Sequence, residues 1–170
     1  IMAILISPMI VPLIITAAGM FFFYSKVGLT HSYLGLILAH TALGTPFVVI
    51  TVTATLTGFD TNLIRASQSL GADTMRTFFK VIMPLILPGV ISGGLFAFIT
   101  SFDEVVVVMF VGSVEQITIP KQMWAGLRQE TSPVILCMAT CLVALSIALL
   151  TTVELLRRRS ERLRGIKLRN

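Results

Sequence analysis

Two adjacent carboxylates, Asp103 and Glu104, interrupt an apolar stretch between Phe96-Ala-Phe-Ile-Thr-Ser-Phe and Val105-Val-Val-Val-Met-Phe. A charged side chain at mid-membrane is disfavoured by about 2.5–3.5 kcal/mol on insertion scales, so it faces a protein interior or an aqueous cavity and is functional by default. Two such groups in a low-dielectric cavity create a negative potential that favours a cationic solute and opposes an anionic one. Adjacent helical residues point roughly 100° apart, so one carboxylate can line a path while the other anchors a neighbouring helix. The alternatives are a pair at the outer interface, or a pair matched by a cation on another helix or subunit. Flanking Phe98 and Phe102 either pack on the methylenes of a solute or make ordinary lipid and core contacts.

No other grouping has the spacing of a chemical site. His31 and His40 show no His-x-x-x-His or carboxylate spacing for a metal and read as satisfied polar residues. Cys137 and Cys141 lie inside one apolar run and read as small core residues rather than redox or metal ligands. Neither Gly-x-Ser-x-Gly nor His-Glu-x-x-His occurs, which leaves a membrane enzyme without support.

The elements that must position the acidic pair follow from composition. Of the 170 residues, 55% are apolar and 12% charged, and the mean hydropathy is +0.93. Soluble domains carry roughly 25% charge, so a free-standing soluble domain is excluded. Long apolar runs, rather than alternating segments of about ten residues, specify helices and not a barrel. The fold class is an all-α polytopic membrane protein. Apolar segments run over about 8–24, 34–57, 82–112 and 133–156. The third is too long for one crossing and contains the acidic pair, so it reads as a helix followed by a bent or re-entrant piece. Within it Gly89 and Gly93 form a Gly-x-x-x-Gly pair that admits close approach of a neighbouring helix, from this chain or another subunit. The chain opens at Ile1 inside an apolar stretch, and further helices are expected before it.

Charge sets the sidedness. Of thirteen Lys and Arg residues, the 58–81 connection holds Arg65, Arg76 and Lys80, and the tail 157–170 holds Arg157, Arg158, Arg159, Arg162, Arg164, Lys167 and Arg169. These ten fall on stretches separated by two crossings, and the positive-inside rule makes that side cytoplasmic. Basic residues directly after a membrane helix contact anionic lipid, which accounts for the net charge of +5 without a nucleic-acid partner. The connections 25–33 and 113–132 face outward. There Trp124 either stacks on a cation or sits at the headgroup level, and Glu115, Lys121, Arg128 and Glu130 either dock a soluble protein or are simply solvated.

The connection from Asp60 to Pro84 carries capping signals. Asp60 is a candidate N-cap for a helix of about ten residues, Gly71 a candidate C′ residue, and Asp73 a candidate N-cap for a second short helix through Arg76 to Lys80. Pro84 and Pro88 fall at the start of the next membrane segment. The predicted shape is helix, glycine turn, helix, lying across the membrane face. Physics alone leaves an interfacial connector and a partner-docking element both open.

Arg65-Ala66-Ser67, three residues, then Gly71-Ala72, with Phe78 or Phe79, Ile82 and Pro84 downstream, resembles the EAA loop of ATP-binding-cassette importer permeases. The resemblance implies a type I importer transmembrane domain whose loop enters a cleft of an ATPase subunit. On that reading Gly71 sets the bend, Ala66 and Ala72 allow close approach, and Arg65, Gln68 and Asp73 make polar contacts. Arg65 stands where the family usually has glutamate, so that contact differs here. Ser101-Phe-Asp-Glu-Val-Val-Val-Val, followed by Ile117-Thr-Ile-Pro120 and Met123-Trp124, resembles the spermidine/putrescine permeases and their opine-transporting relatives. That resemblance implies ammonium contacts for Asp103 and Glu104.

The expected assembly is a multi-pass permease of the bacterial inner membrane, with 1–170 forming one transmembrane domain. Its expected partners are ATPase subunits, a second permease subunit, an external substrate-binding protein and the bilayer. No phosphate-cradling Gly-x-x-x-x-Gly-Lys-Ser/Thr sequence is present, so ATP and Mg are expected on the partner ATPase and no cofactor on this chain. The rival class is a secondary transporter or channel using Asp103 and Glu104 for proton or ion coupling. It predicts sequence halves that repeat, and none is visible.

Overall fold

The computed structural model describes residues 2–129 and 133–163, and every regular element among them is helical. Glu130 and the tail from Arg164 onward lie outside the described residues, as do the side chains of Arg128 and of the basic residues 157–159 and 162. The described residues fall into two compact units, the first ending at Gln116 and the second beginning at Ile117.

The first unit opens with α1 (Met2–Ile10) and α2 (Leu13–Val27), bent by 115° at their junction. The continuous segment expected over 8–24 is therefore broken, and Pro12 is the cause. It cannot donate to the carbonyl four residues back, and its ring crowds that carbonyl. The last bond of α1 is Val11 N–H to Ser7 O at 3.1 Å, after which Pro12 starts the new helix as its N-cap. Gly28, at φ +72°, closes α2 in the left-handed conformation that glycine takes at little cost.

Helix α3 (Tyr33–Thr57) starts at Ser32, whose Oγ accepts the Gly35 amide at 2.9 Å. Five of its six threonines, all but Thr53, are accommodated in the apolar span by a hydroxyl bond inside the helix. Thr41 donates to Ile37 O at 2.7 Å, Thr51 to Phe47 O at 2.9 Å and Thr55 to Thr51 O at 2.9 Å.

After the 58–61 turn come α4 (Asn62–Ser69) and α5 (Thr74–Thr77). A π-helical turn over Phe78–Ile82 then leads into α6 (Met83–Phe102). The second short helix of the connection is not separate, because α5, the π turn and α6 form one span of 29 residues, Thr74–Phe102. Pro84 explains the widened turn, since its missing amide and bulky ring disfavour an ordinary turn just before it.

Helices α3 and α6 pack face to face through small residues. A Cβ on Gly89 would strike Thr51 and Thr55, and one on Gly93 would lie 2.7 Å from the Val48 Cα. A Cβ on Gly44 would lie 2.9 Å from that of Ala97. The Gly89/Gly93 pair thus receives α3 of the same chain. In lipid such close packing, rather than water-driven burial, is what associates helices.

The chain breaks at 103–105 and re-enters as α7 (Val106–Val111). Val107, Val108 and Val111 are fully buried against Ala17, Tyr24, Leu36, Ala39 and Leu43 of α2 and α3. A β-branched run has modest helix propensity. Burial without solvent overrides it, because a lone extended segment would leave its amides unpaired. At the end of α7, the His31 amide donates to Val111 O at 2.9 Å, tying the α2–α3 turn to it.

The second unit consists of α8 (Ile119–Gln129) and α9 (Pro133–Leu163). Helix α9 outlasts the apolar segment expected to end near 156, and its membrane-length part is Pro133–Thr152. Cys137 and Cys141 are exposed on it, not core residues as the sequence suggests. Their apolar neighbours Val134, Leu136 and Val143 are exposed as well, consistent with a lipid-facing surface. Among the described residues three helices are long and apolar enough to cross a membrane, or four if the α1–α2 pair, bent by 115°, counts as one span.

Candidate functional site

The acidic pair sits where α6 ends and α7 begins, and the two carboxylates take opposite sides. Asp103 is the C-cap of α6 and is exposed, its amide held by Ile99 O at a long 3.4 Å. Glu104 is 6% exposed, and its Oε1 accepts the Val107 amide at 2.8 Å. That bond satisfies one of the free donors in the first turn of α7, as capping side chains do. One carboxylate is open and the other anchors a helix.

Beside them His40 Nδ1 and Ser101 Oγ stand 2.8 Å apart, bridging α3 and the last turn of α6. His40 is thus a satisfied polar residue as its context suggested. Its partner was not legible, because Ser101 lies 61 positions away. Phe98 and Phe102, one turn apart, stack on each other with centroids 5.4 Å apart and planes 27° from parallel. Phe98 is 46% exposed and Phe102 half-buried, so the stack presents an aromatic surface one turn below Asp103. Among the described residues no group of three or more His, Cys, Asp or Glu is placed to hold a metal.

The connection between α3 and α6 forms the second candidate surface. Gly71 has φ +82°, with Leu70 as the C-cap of α4. The Ala72 amide donates to Ser67 O at 3.1 Å and the Gly71 amide to Gln68 O at 2.9 Å, the two bonds of a Schellman turn. Asp73 caps α5 as expected, its Oδ1 accepting the Arg76 amide at 2.7 Å. The Asp60 carboxylate caps the first turn as expected, from one position earlier than the residue that precedes α4. Thr61 is already helical (φ −64°, ψ −18°) and makes no side-chain cap bond, whereas the Asp60 carboxylate accepts the Asn62 amide at 2.9 Å.

Arg65, Ala66, Gln68, Gly71 and Asp73 are exposed, whereas Ser67 and Ala72 are half-buried. Ser67 faces inward because its Oγ bonds Thr77 Oγ1 at 3.0 Å. Leu70 is 89% exposed at the tip and Met75 is also exposed, so the surface mixes apolar knobs with polar groups. Thr77 is the connection residue that sequence reasoning missed. It precedes the paired Phe78-Phe79, and no local pattern reveals that its hydroxyl is buried.

A helical chain with membrane-length apolar spans, an exposed carboxylate at a helix break and a capped helix–glycine–helix connection has features of a transport permease. Residues 1–162 match the family described as binding-protein-dependent transport system inner membrane component, and the chain belongs to that family. It is 33% identical over 152 residues to the spermidine/putrescine transport system permease protein PotC of Haemophilus influenzae, covering 89% of this chain and 59% of that protein. To PotC of Escherichia coli it is 31% identical over 150 residues, covering 88% and 57%. To the putrescine transport system permease protein PotI of Escherichia coli it is 29% identical over 145 residues, covering 81% and 51%. The chain thus spans somewhat over half the length of the relatives it matches.

Proposed function

We propose that this chain forms the membrane path of an ATP-driven, binding-protein-dependent importer for a small cationic solute, a polyamine such as spermidine or putrescine or an opine-like compound. Residues 1–170 belong to one transmembrane permease domain. An external binding protein delivers the cation to an outward-open cavity shared with a second permease subunit. Closure of two ATPase subunits, which hold the ATP and Mg, presses on the 58–81 connection and turns access inward.

The observation that carries this reading is the continuity of Thr74–Phe102, which joins the Gly71 turn to Asp103 in one helical span. The exposed Arg65, Ala66, Gln68, Gly71 and Asp73, with Ser67 and Ala72 beneath them, make the ATPase-facing surface. Asp103 contacts an ammonium group by charge-assisted hydrogen bonds, and the Phe98–Phe102 stack meets the methylenes. Glu104 adds negative potential while holding α7 in place. The names of the PotC and PotI relatives supply the solute class.

The test is uptake by proteoliposomes containing the full-length permease, its partner permease, the ATPase and the binding protein. Labelled polyamine should accumulate only with ATP inside and with the ATPase present. Uptake that persists without the ATPase, or that favours an anionic solute, would sink the proposal.

A further inference from the structure

The region around Asp103 contains a device that the transport reading does not use. Asp103 lies between two anchors. On one side Ser101 is tied to His40 of α3 at 2.8 Å, and on the other Glu104 is tied to Val107 at 2.8 Å. The helix itself holds this turn weakly, since the closing bond from Asp103 N–H to Ile99 O is 3.4 Å. An exposed residue at a loosely closed helix end has no local reason to keep one orientation.

We infer that His40 is a positioning residue, and that its bond to Ser101 fixes the end of α6 so that Asp103 points outward while Glu104 turns into the core. The inference rests on the proposed transport role for its consequence, the affinity for an ammonium group, but not for its geometry. His40 is suited to the task because it stands on α3, the helix packed closely on α6 at Gly89, Gly93 and Ala97. It thus refers the orientation of Asp103 to a packed neighbouring helix rather than to a turn closed by a 3.4 Å bond. A second consequence concerns number. With the Glu104 Oε1 committed to the Val107 amide and the residue 6% exposed, this chain offers one free carboxylate at the break, not two. A diamine must find the site for its other ammonium elsewhere in the assembly.

Two readouts on the assembled transporter test this. With the native cysteines, Cys137 and Cys141 among them, replaced by alanine, Asp103→Cys is labelled by a charged thiol reagent. Adding His40→Leu or Ser101→Ala should change the labelling rate by about fivefold, as losing an ordinary hydrogen bond does, and His40→Asn should restore it by placing an amide atom near the lost Nδ1. In uptake assays His40→Leu should raise the half-saturating polyamine concentration by about fivefold with little change in maximal rate, and should add nothing further to Asp103→Asn. An unchanged labelling rate in both His40→Leu and Ser101→Ala overturns the inference, as does full additivity with Asp103→Asn. Should His40→Leu fail to assemble, Ser101→Ala decides alone. Absence of polyamine uptake by the unaltered complex would count against the transport reading and leave the labelling experiment to judge the positioning role.

Discussion

Ser67 Oγ and Thr77 Oγ1 meet at 3.0 Å across the Gly71 turn, and Thr77 is only 2% exposed. The two hydroxyls fasten the exposed helix α4 to the root of the Thr74–Phe102 span. A force on α4 is therefore transmitted through a hydrogen bond as well as through the chain.

This pairing predicts an asymmetric mutant series. Ser67→Ala leaves the buried Thr77 hydroxyl without its partner and should destabilise the protein by about 1–3 kcal/mol, whereas Ser67→Ala combined with Thr77→Val removes both polar groups and should be close to neutral. Thermal unfolding in detergent, read for the two variants side by side, checks it. A double variant less stable than Ser67→Ala would contradict the account.

At Gly71 nothing lies within 4 Å of a built Cβ, so space does not explain the glycine. Its φ of +82° does. Gly71→Ala should cost about 1–2 kcal/mol, and Gly71→Asn less, because asparagine visits the left-handed region more readily. Gly71→Pro should be worst, losing both the conformation and the amide that bonds Gln68, and should abolish co-purification with the ATPase while membrane insertion persists. Recovery of normal complex with Gly71→Pro would remove the turn from the coupling surface.

The glycines of α6 should separate by what faces them. A methyl on Gly93 meets the Val48 Cα at 2.7 Å, which cannot swing aside, whereas Gly94 has open space within 4 Å. Gly93→Ala should therefore destabilise by about 1–3 kcal/mol and Gly94→Ala hardly at all. Denaturation in detergent of the two single variants decides the point.

The two acidic residues should part ways under neutral substitution. Asp103→Asn should lower polyamine uptake at least tenfold, about 1.4 kcal/mol, with the amount of assembled complex unchanged. Glu104→Gln keeps an oxygen to accept the Val107 amide and should retain assembly, whereas Glu104→Leu loses the cap and should cost about 1 kcal/mol of stability. Uptake together with quantitative membrane blots distinguishes these outcomes. Equal loss of uptake from Asp103→Asn and Glu104→Gln would show that both carboxylates contact the solute.

Local signals were legible in proportion to how local their causes are. Gly71 and Asp73 announced the turn because φ > 0 and an N-cap each depend on a few neighbouring residues. The long apolar runs announced the spans for the same reason. The 115° bend between α1 and α2 was hidden by the apolar run around Pro12, although that proline was its signal. The merging of α5 into the next span was missed because capping residues mark where a helix starts but not whether it stops. For Asp103 and Glu104 the expected angular separation of helical neighbours does not apply, because the pair lies at a helix break, and the spacing does not reveal that Asp103 is exposed and Glu104 buried. That assignment depends on α7 folding back against α2 and α3, a non-local event.

The unbroken run from Thr74 to Phe102 acts as a crowbar. At about 1.5 Å per residue its 29 residues reach about 43 Å, so a rocking of about 5° about its Thr74 end sweeps the far tip sideways by nearly 4 Å. That stroke exceeds the length of a hydrogen bond, and under the proposed transport role it is enough to separate Asp103 from an ammonium group bound there.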